Sequence, residues 1–143
     1  MEDIAAFADC RSCLCLASRS AARGITNVYD AGLRPHGLRI TQFTILSNLV
    51  LRGATPVVAL ARLLGMDRTT LTRNLSLLEA NGWIRTRCDE DDARTHLVSL
   101  TTKGRSIARE ALPAWRKAQD AVAAALGAAD IAALHRLANA RTM

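Results

Sequence analysis

The stretch MDRTTLTRNLSLLEANG, residues 66–82, predicts one amphipathic helix with both ends marked. Leu71, Leu75 and Leu78 recur at the spacing of a single helix face. Asp67 can cap the first turn by accepting a backbone hydrogen bond, and Asn81-Gly82 can end the helix in a left-handed conformation. The fold class then depends on what lies on either side of this helix.

A β-hairpin is predicted immediately after this helix. The runs WIRTRC, residues 83–88, and THLVSLT, residues 95–101, have the composition and alternation of strands. The polar link DEDDAR, residues 89–94, is short enough to be a hairpin turn. The tip of the hairpin is therefore an acidic cluster inside a chain whose formal net charge is +6.

Two short helices are predicted before the capped helix of residues 66–82. The first begins after Thr41 as its N-cap and runs through FTILSNLVL to Gly53. The second takes Thr55 as N-cap and Pro56 as its first residue, and ends at Gly65. A tight turn then leads into the capped helix, and two short helices joined by a glycine-containing turn predict a helix-turn-helix.

Longer helices are predicted toward both ends of the chain. One covers residues 4–31. Another starts at Thr101 or Thr102 and carries Pro113 in its interior, where a proline kinks the axis or is tolerated by packing. A last helix is expected over about residues 130–141.

Composition indicates a helical, basic protein. The 143 residues are 50% hydrophobic and 3% aromatic, which fits one domain built mainly of helices. The net positive charge favours polyanionic partners such as nucleic acid. We find neither a basic signal-peptide start nor an uncharged apolar run long enough to span a membrane, so a cytoplasmic protein with reduced cysteines is expected. Catalytic motifs are lacking, so we do not expect an enzyme, and no cofactor is expected.

The face of the capped helix opposite its leucines suggests DNA. It contains Thr69, Thr72, Arg73 and Ser76 and no acidic residue. Arginine bonds guanine in the major groove, and threonine offers a hydroxyl and a methyl group to base edges. An ordinary exposed helix face would mix both signs of charge, so DNA is the favoured interpretation. Arg68 and Thr70 flank this face and are assigned to phosphates.

The order of these elements resembles the winged helix-turn-helix of the MarR family of bacterial transcription regulators. The resemblance runs through MDRTTLTRNLSLLEANGWIRTRCDEDDARTHLVSLTTKGR at 66–105 and extends outward to LRITQFTIL at 38–46 and ALPAWRKAQ at 111–119. Its most diagnostic positions are Asp92, Arg94, Leu100, Thr101, Lys103 and Gly104.

The resemblance implies an architecture: a mainly α fold with a small β-hairpin wing and a helical dimerisation layer. Residues 37–104 would form the winged helix-turn-helix DNA-binding domain, and residues 1–36 with 105–143 the dimerisation region. A cavity between the two would receive an effector that releases DNA.

The resemblance also assigns the hairpin tip. Arg94 would enter the minor groove, whose negative potential attracts an inserted arginine. Asp92, two residues away on an extended segment, would hold the Arg94 guanidinium in place. The remaining acidic residues would be solvated, because the cluster lacks the pattern of a calcium loop; no metal site is expected.

The cysteines leave alternatives open. Cys10 and Cys13 would share a face of the predicted first helix, and Cys15 would lie around from both. They can be apolar residues of a dimer core, a redox-sensing thiol, or a thiolate site for a soft metal or metalloid. Cys88 is predicted to be structural, and His36, His96 and His135 have no metal-ligand spacing.

The sequence thus predicts a homodimeric repressor of the MarR type. It would bind a pseudo-palindromic DNA operator and be released by a small molecule or a thiol-reactive signal such as an oxidant. The alternative is a thiol-based redox or soft-metal protein that uses Cys10, Cys13 and Cys15.

Overall fold

The computed structural model describes residues 2–140, with the side chains of residues 4–140. Its helices are α1 (Glu2–Ala6), α2 (Leu14–Leu33), α3 (Ile40–Arg52), α4 (Val57–Leu64), α5 (Arg68–Ala80) and α6 (Thr102–Asn139). Its strands are β1 (Thr55–Pro56), β2 (Ile84–Cys88) and β3 (His96–Leu100), and 3-10 turns cover Ala8–Ser12 and Arg34–His36. The mainly helical fold with a small wing is confirmed.

The core lies between α3, α4, α5 and the sheet. The leucine stripe predicted for α5 is buried, with Leu71 and Leu78 fully inaccessible and Leu75 nearly so. These leucines pack in one cluster with residues of the neighbouring helices and strands, among them Leu46, Leu60, Ile84 and Val98. Burial of this face turns the opposite face of α5 toward solvent.

The sheet has three antiparallel strands in the order β1-β3-β2. The hairpin of β2 and β3 pairs Ile84 with Leu100 at one end and Cys88 with His96 at the other.

The sequence did not predict β1, and Thr55 is not the N-cap expected for α4. Thr55 instead pairs with Val98 in the sheet, and Pro56 precedes the first helical residue.

The start of α3 also differs from the prediction. Its N-cap is Arg39 and not Thr41, so the helix begins two residues earlier. Asp30 of α2 explains this, because its Oδ1 accepts a hydrogen bond from the Ile40 backbone N at 2.7 Å. A carboxylate on another element thus helps to cap α3, beside a local bond in which the Gln42 Oε1 accepts from the Arg39 backbone N at 3.0 Å. A local sequence pattern can show the second contact but not the first.

The single helix expected over residues 4–31 is interrupted. Cys13 has extended backbone angles, φ −61° and ψ 113°, and separates the first 3-10 turn from α2. The Ser12 hydroxyl donates to the Asp9 carbonyl at 2.8 Å, a local bond that competes with continued helix. Cys10 and Cys13 therefore do not share a helix face.

The break in α6 lies at Gly127 and not at Pro113. Pro113 sits within continuous helix, whereas Gly127 has φ 76° and ψ 166°, a conformation that suits glycine. The last helical segment therefore begins close to Gly127, a little before the predicted start near residue 130. Arg141, expected at its end, lies outside the described residues.

Helix α2 lies against α6. Gly32 lies at this contact, where an added Cβ would be 3.7 Å from that of Ala118, an ordinary van der Waals distance. The Tyr29 hydroxyl donates to the Gln119 side chain, and the Tyr29 and Trp115 rings are 6.3 Å apart between centroids. The chain's terminal helices are thus packed together.

By length and composition, α6 also meets the criteria of a membrane-spanning helix, with a mean hydropathy of 1.4 over one 18-residue window. A single helix of this kind is weak evidence for a membrane span.

Candidate nucleic-acid interface

The outer face of α5 is open to solvent along its length. Thr69, Thr72, Arg73 and Ser76 are all exposed, as expected from the leucine stripe behind them. Arg68, Thr69, Thr72 and Arg73 line a shallow concave surface at the N-terminal half of the helix. The structure therefore brings together Thr69, Thr72 and Arg73 of the predicted base-contacting face with Arg68, which the sequence assigned to phosphates.

The guanidinium groups on α5 are not neutralised by a carboxylate. In the part of the chain that the structure describes, the one ion pair is between Arg39 and Asp30, at 3.8 Å. Arg68 and Arg73 therefore present unpaired positive charge at the concave surface. Free arginines at a helix N-terminus are suited to guanine edges and to phosphates.

Asp67 fixes the first turn of α5. It caps the helix by accepting from the Thr70 backbone N at 2.8 Å, which confirms the predicted cap. The Thr70 hydroxyl also donates to Asp67, at 2.6 Å. That side-chain bond, followed by the backbone bond from Thr70, lowers the pKa of Asp67. Because the hydroxyl hydrogen of Thr70 is engaged here, its donation to a phosphate requires this bond to open.

Asp92 shapes the hairpin tip through the backbone. Its Oδ1 accepts from the Arg94 backbone N at 3.0 Å, and its Oδ2 accepts from the Thr95 hydroxyl at 2.9 Å. The expected contact with the Arg94 guanidinium is wrong, since the described residues contain no such ion pair. Asp92 sets the turn that carries Arg94, and the exposed Arg94 side chain remains free.

A second carboxylate of the acidic cluster is also part of the turn. Asp89 accepts from the Asp91 backbone N at 2.9 Å, and its own N donates to the Thr95 carbonyl at 2.8 Å. Short polar side chains commonly stabilise turns in this way. At least two of the acidic residues are thus explained by turn formation.

Two arginines on the wing were missed by the sequence analysis. Arg85 and Arg87 are exposed and alternate along β2, on the side of the sheet opposite the buried Ile84. The alternation in IRTRC carried this signal, because neighbouring residues of a strand point to opposite faces. Together with Arg94 they offset three of the four carboxylates at the tip, so the wing is close to neutral in formal charge.

The diagnostic segment Thr101–Gly104 joins the end of α5 to the start of α6. The Thr101 hydroxyl donates to the Gly82 carbonyl at 2.6 Å and accepts from the Gly104 N at 3.0 Å. Lys103 donates to the Asn81 carbonyl at 3.0 Å. We call this arrangement the α5–α6 joint. It ties the orientation of the candidate recognition helix to that of the long helix.

Gly104 is required for this joint by space. A Cβ at this position would overlap the carbonyl group of Trp83, while the side chain of Leu100 also lies close. Only glycine lets α6 begin against this backbone.

A cavity of about 540 Å³ lies between α3 and α6. Phe43 and Trp115, stacked with ring centroids 6.1 Å apart, contribute to its largely apolar wall. Arg105 and Arg109 also line it. The cavity therefore lies where a helix of the predicted DNA-binding domain meets a helix of the predicted dimerisation region.

The three N-terminal cysteines are exposed and lie in different backbone environments. Cys10 lies in a 3-10 turn, Cys13 caps α2 and Cys15 is in its first turn, and all three are accessible in the single chain. No cluster of three or more metal-ligating side chains occurs among residues whose placement is described. Cys88, expected to be structural, is also exposed.

Comparisons with known proteins agree with the resemblance. The MarR family model matches residues 38–96. The regulator TtmR of Methylorubrum extorquens is 34% identical over 94 residues, which are 66% of this chain and 48% of that protein. The chain thus spans about half the length of the curated relatives that it matches, as with the 54% for the multiple antibiotic resistance protein MarR of Escherichia coli.

Solved structures match over a greater length. The M. tuberculosis transcriptional regulator MosR, crystallised in complex with DNA, is 39% identical with a TM-score of 0.77, and the match covers 92% of this chain and 99% of that one. A cysteine-to-serine mutant of E. coli MarR, complexed with operator DNA, is 25% identical with a TM-score of 0.77 over 87% of this chain and 89% of that one. These are transcription regulators, not enzymes. On its sequence, its fold and the near-complete coverage of a relative 39% identical to it, the chain belongs to the MarR family.

Proposed function

We propose that this protein is a homodimeric transcription regulator that represses by binding a pseudo-palindromic DNA operator. The observation that carries the proposal is the acid-free, exposed face of α5, with its unpaired Arg68 and Arg73. In this proposal Thr69, Thr72, Arg73 and Ser76 face the bases of the major groove. Arg68 and Thr70 bond phosphates, and Arg94 enters the minor groove.

The relatives crystallised with DNA support the same activity. MosR and E. coli MarR were both solved in DNA complexes, and both share this fold at a TM-score of 0.77. The formal charge of +6 also favours a polyanion, and phosphate contacts dominate affinity in such complexes. A regulator of this kind works in the cytoplasm, beside its DNA.

Dimerisation is supported by apolar surface on the terminal segments. Ile4, Phe7 and Leu14 are 70%, 68% and 84% exposed near one end, and Leu134 and Leu137 are 46% and 56% exposed near the other. A second copy of the chain would cover this surface, since large exposed apolar residues of this density are typical of an interface. Two copies also present two recognition helices to two half-sites.

The cavity between α3 and α6 is the proposed effector site. Its apolar wall with Phe43 and Trp115, next to Arg105 and Arg109, suits a small aromatic or aliphatic acid. Such a ligand would release DNA if it binds more tightly to the arrangement that does not fit the operator.

The alternative signal is thiol chemistry at Cys10, Cys13 and Cys15. The observation that favours it is their exposure in the single chain, since oxidants and soft metals or metalloids reach accessible thiols first. The extended residue Cys13 places these thiols on two different backbone segments, so a shared site requires rearrangement or a second chain.

The test is fluorescence-anisotropy binding to intergenic DNA upstream of the protein's own gene. A duplex of the same composition with scrambled order is the control. Tight binding that favours the upstream duplex by about a thousandfold or more is expected for a specific regulator. Equal affinity for both duplexes would rule out specific operator binding.

A second titration distinguishes the signals. Peroxide, a thiol-binding metalloid and a small aromatic acid are added separately to the wild type and to a Cys10→Ser, Cys13→Ser, Cys15→Ser variant. Release by peroxide or metalloid in the wild type alone would identify the thiols as the sensor. Release by the acid in both proteins would identify the cavity, and Arg109→Ala would then abolish it.

A further inference from the structure

Cys88 and His96 form an exposed pair on the wing that the DNA contacts do not use. They are directly opposite each other in the hairpin, with the Cys88 Sγ 3.9 Å from the His96 Nδ1. Both side chains are accessible to solvent. They extend the core-facing side of the sheet beyond the core, because Val98, on the same face of β3 as His96, is buried.

The hairpin geometry holds the two side chains together. The backbone N of Thr86 donates outward to Glu79 at 2.9 Å, so it does not bond to β3. The N of Asp89, in contrast, donates to the Thr95 carbonyl. By the alternation of an antiparallel ladder, Cys88 and His96 are a pair without backbone hydrogen bonds between them, the kind in which side chains are closest.

We propose that Cys88 and His96 are a thiol-modification site through which the wing responds to low-molecular-weight disulfides. This rests on the proposed function only for its effect on DNA; the reactivity of the site is independent. The imidazole is positioned to accept the thiol proton as the sulfur reacts, the arrangement by which a histidine activates a cysteine.

The reaction is thiol–disulfide exchange. The Cys88 Sγ attacks one sulfur of the disulfide, forming a new S–S bond as the old one breaks. The His96 Nδ1 takes up the thiol proton, and the departing thiolate is then protonated to a free thiol. Cys88 is oxidised to a mixed disulfide while the small disulfide is reduced, so no further reagent is required.

A metal site explains this pair less well. Within the described part of the chain, no third side chain of a metal-ligating type completes the pair. Two protein ligands fall short of the four of a structural zinc site. A thiol-modification site, in contrast, requires only the Cys88 thiol and a neighbouring base, which His96 supplies.

The adduct would interfere with the proposed DNA contact. Cys88 ends the strand that leads into the turn carrying Arg94, and His96 begins the strand that leaves it. A bulky group bonded to Cys88 would lie beside the segment assigned to the minor groove, where space is narrow. Modification should therefore weaken DNA binding without unfolding the protein.

The first experiment measures the site alone. The chain has four cysteines, so Cys10→Ser, Cys13→Ser, Cys15→Ser leaves Cys88 as the sole thiol. The rate of mixed-disulfide formation with oxidised glutathione as probe is followed by intact mass at neutral pH. Adding His96→Gln should slow the rate about tenfold, less than the hundredfold or more of a well-enclosed catalytic base. His135→Gln, an exposed histidine on α6, is the matched control and should leave the rate unchanged.

Equal rates with and without His96→Gln would overturn the assignment of the imidazole. So would the failure of Cys88 to react while the denatured chain does. Neither result depends on DNA.

The second experiment measures the effect on DNA by anisotropy with the same triple-serine protein. Glutathionylated protein should bind about tenfold more weakly, and dithiothreitol should restore binding. A Cys88→Ser variant treated with the probe should bind as before. Unchanged affinity of the adduct would overturn the wing response. If the unmodified protein bound no operator, the proposed function would fail, and the labelling rates would still decide the site.

Discussion

In the hairpin turn, Asp92 has a structural role and Arg94 carries the side chain that is proposed to bind DNA. The Asp92 carboxylate accepts from the Arg94 backbone N and the Thr95 hydroxyl, so it fixes the shape of the turn. The Arg94 side chain is left with its charge free. Acidic residues are thus compatible with the tip of a wing proposed to approach phosphates, because they build the turn that presents a cation.

Arg94→Ala should weaken binding to operator and scrambled duplexes alike. Insertion into the minor groove depends on electrostatic potential more than on base edges. The slope of log affinity against log salt concentration should fall by about 1. Arg23→Ala, which removes the same charge from an exposed position of α2, is the control. Unchanged affinity in anisotropy titrations would exclude Arg94 from the interface.

Arg73→Ala should instead reduce discrimination. A guanine contact contributes about 1–3 kcal/mol, and its loss should relax preference at one base pair per half-site. Competition binding with single-base-pair operator variants measures this. A uniform loss across all variants would make Arg73 a phosphate contact.

At the scale of elements, α5 was the most predictable part of the molecule. Its cap at Asp67 and its buried leucines are local features, and local features can be read from sequence. The strand β1 could not be predicted, because two residues have no period and Thr55 pairs with a residue 43 positions away, Val98. The start of α3 was mispredicted for a similar reason, because Asp30, which caps it, belongs to another helix.

The cap of α5 should make its stability depend on pH. The pKa of Asp67 is lowered in the folded protein, mainly by the Thr70 hydroxyl, from the ordinary 3.8. A lowered folded pKa stabilises the protein above the unfolded pKa, and that stabilisation is lost as pH falls through the folded value. The free energy of unfolding of the wild type should therefore decrease below about pH 4 more steeply than that of Asp67→Asn.

Asparagine retains an oxygen that can cap the helix but carries no charge. Urea titrations of both proteins at several pH values measure the difference. Parallel pH profiles would mean that the Asp67 charge has no part in the stability of α5.

The α5–α6 joint should not tolerate a methyl group. Gly104→Ala places a Cβ against the Trp83 carbonyl and should lower the free energy of unfolding by about 3 kcal/mol or more. Gly24→Ala is the matched control, because no atom lies within 4 Å of its added Cβ. On a helix this control should stabilise by about 0.5–1 kcal/mol. Chemical denaturation measures both, and equal stabilities would contradict the close approach at Gly104.

At the scale of the whole molecule, the terminal segments were the least predictable. Their apolar positions and the division of the C-terminal helices near Gly127 were predicted, but the break at Cys13 was not. The hydrogen bond from Ser12 that competes with helix before Cys13 leaves only a weak sequence signal. The proposed base-contacting face, by contrast, followed from burial of the leucines behind it. The sequence could not predict that the Arg94 guanidinium is unpaired. That outcome depends on whether the Asp92 carboxylate bonds the backbone N of Arg94 or its guanidinium, and the spacing of the two residues allows both.

Disrupting the proposed interface should affect assembly before folding. Leu134→Asp with Leu137→Asp puts charge on the exposed apolar stripe of α6 and should shift the protein from dimer to monomer. Sedimentation equilibrium measures the shift, and operator affinity should fall with it, because one half-site contact is lost. Val58→Asp, at an exposed position of α4, is the control. A dimer that survives the double change would place the interface elsewhere.

The α5–α6 joint makes the long helix a lever arm. From Gly104 to the break at Gly127 the helix extends about 35 Å at a rise of 1.5 Å per residue. With its far end held in the proposed dimer, a tilt of α6 by about 5° moves the joint, and the α5 helix bonded to it, by about 3 Å, close to the ~3.4 Å rise of one base pair. In the proposed regulator, a small ligand in the α3–α6 cavity would therefore need only a slight rotation of α6 to put the two recognition helices out of phase with the DNA.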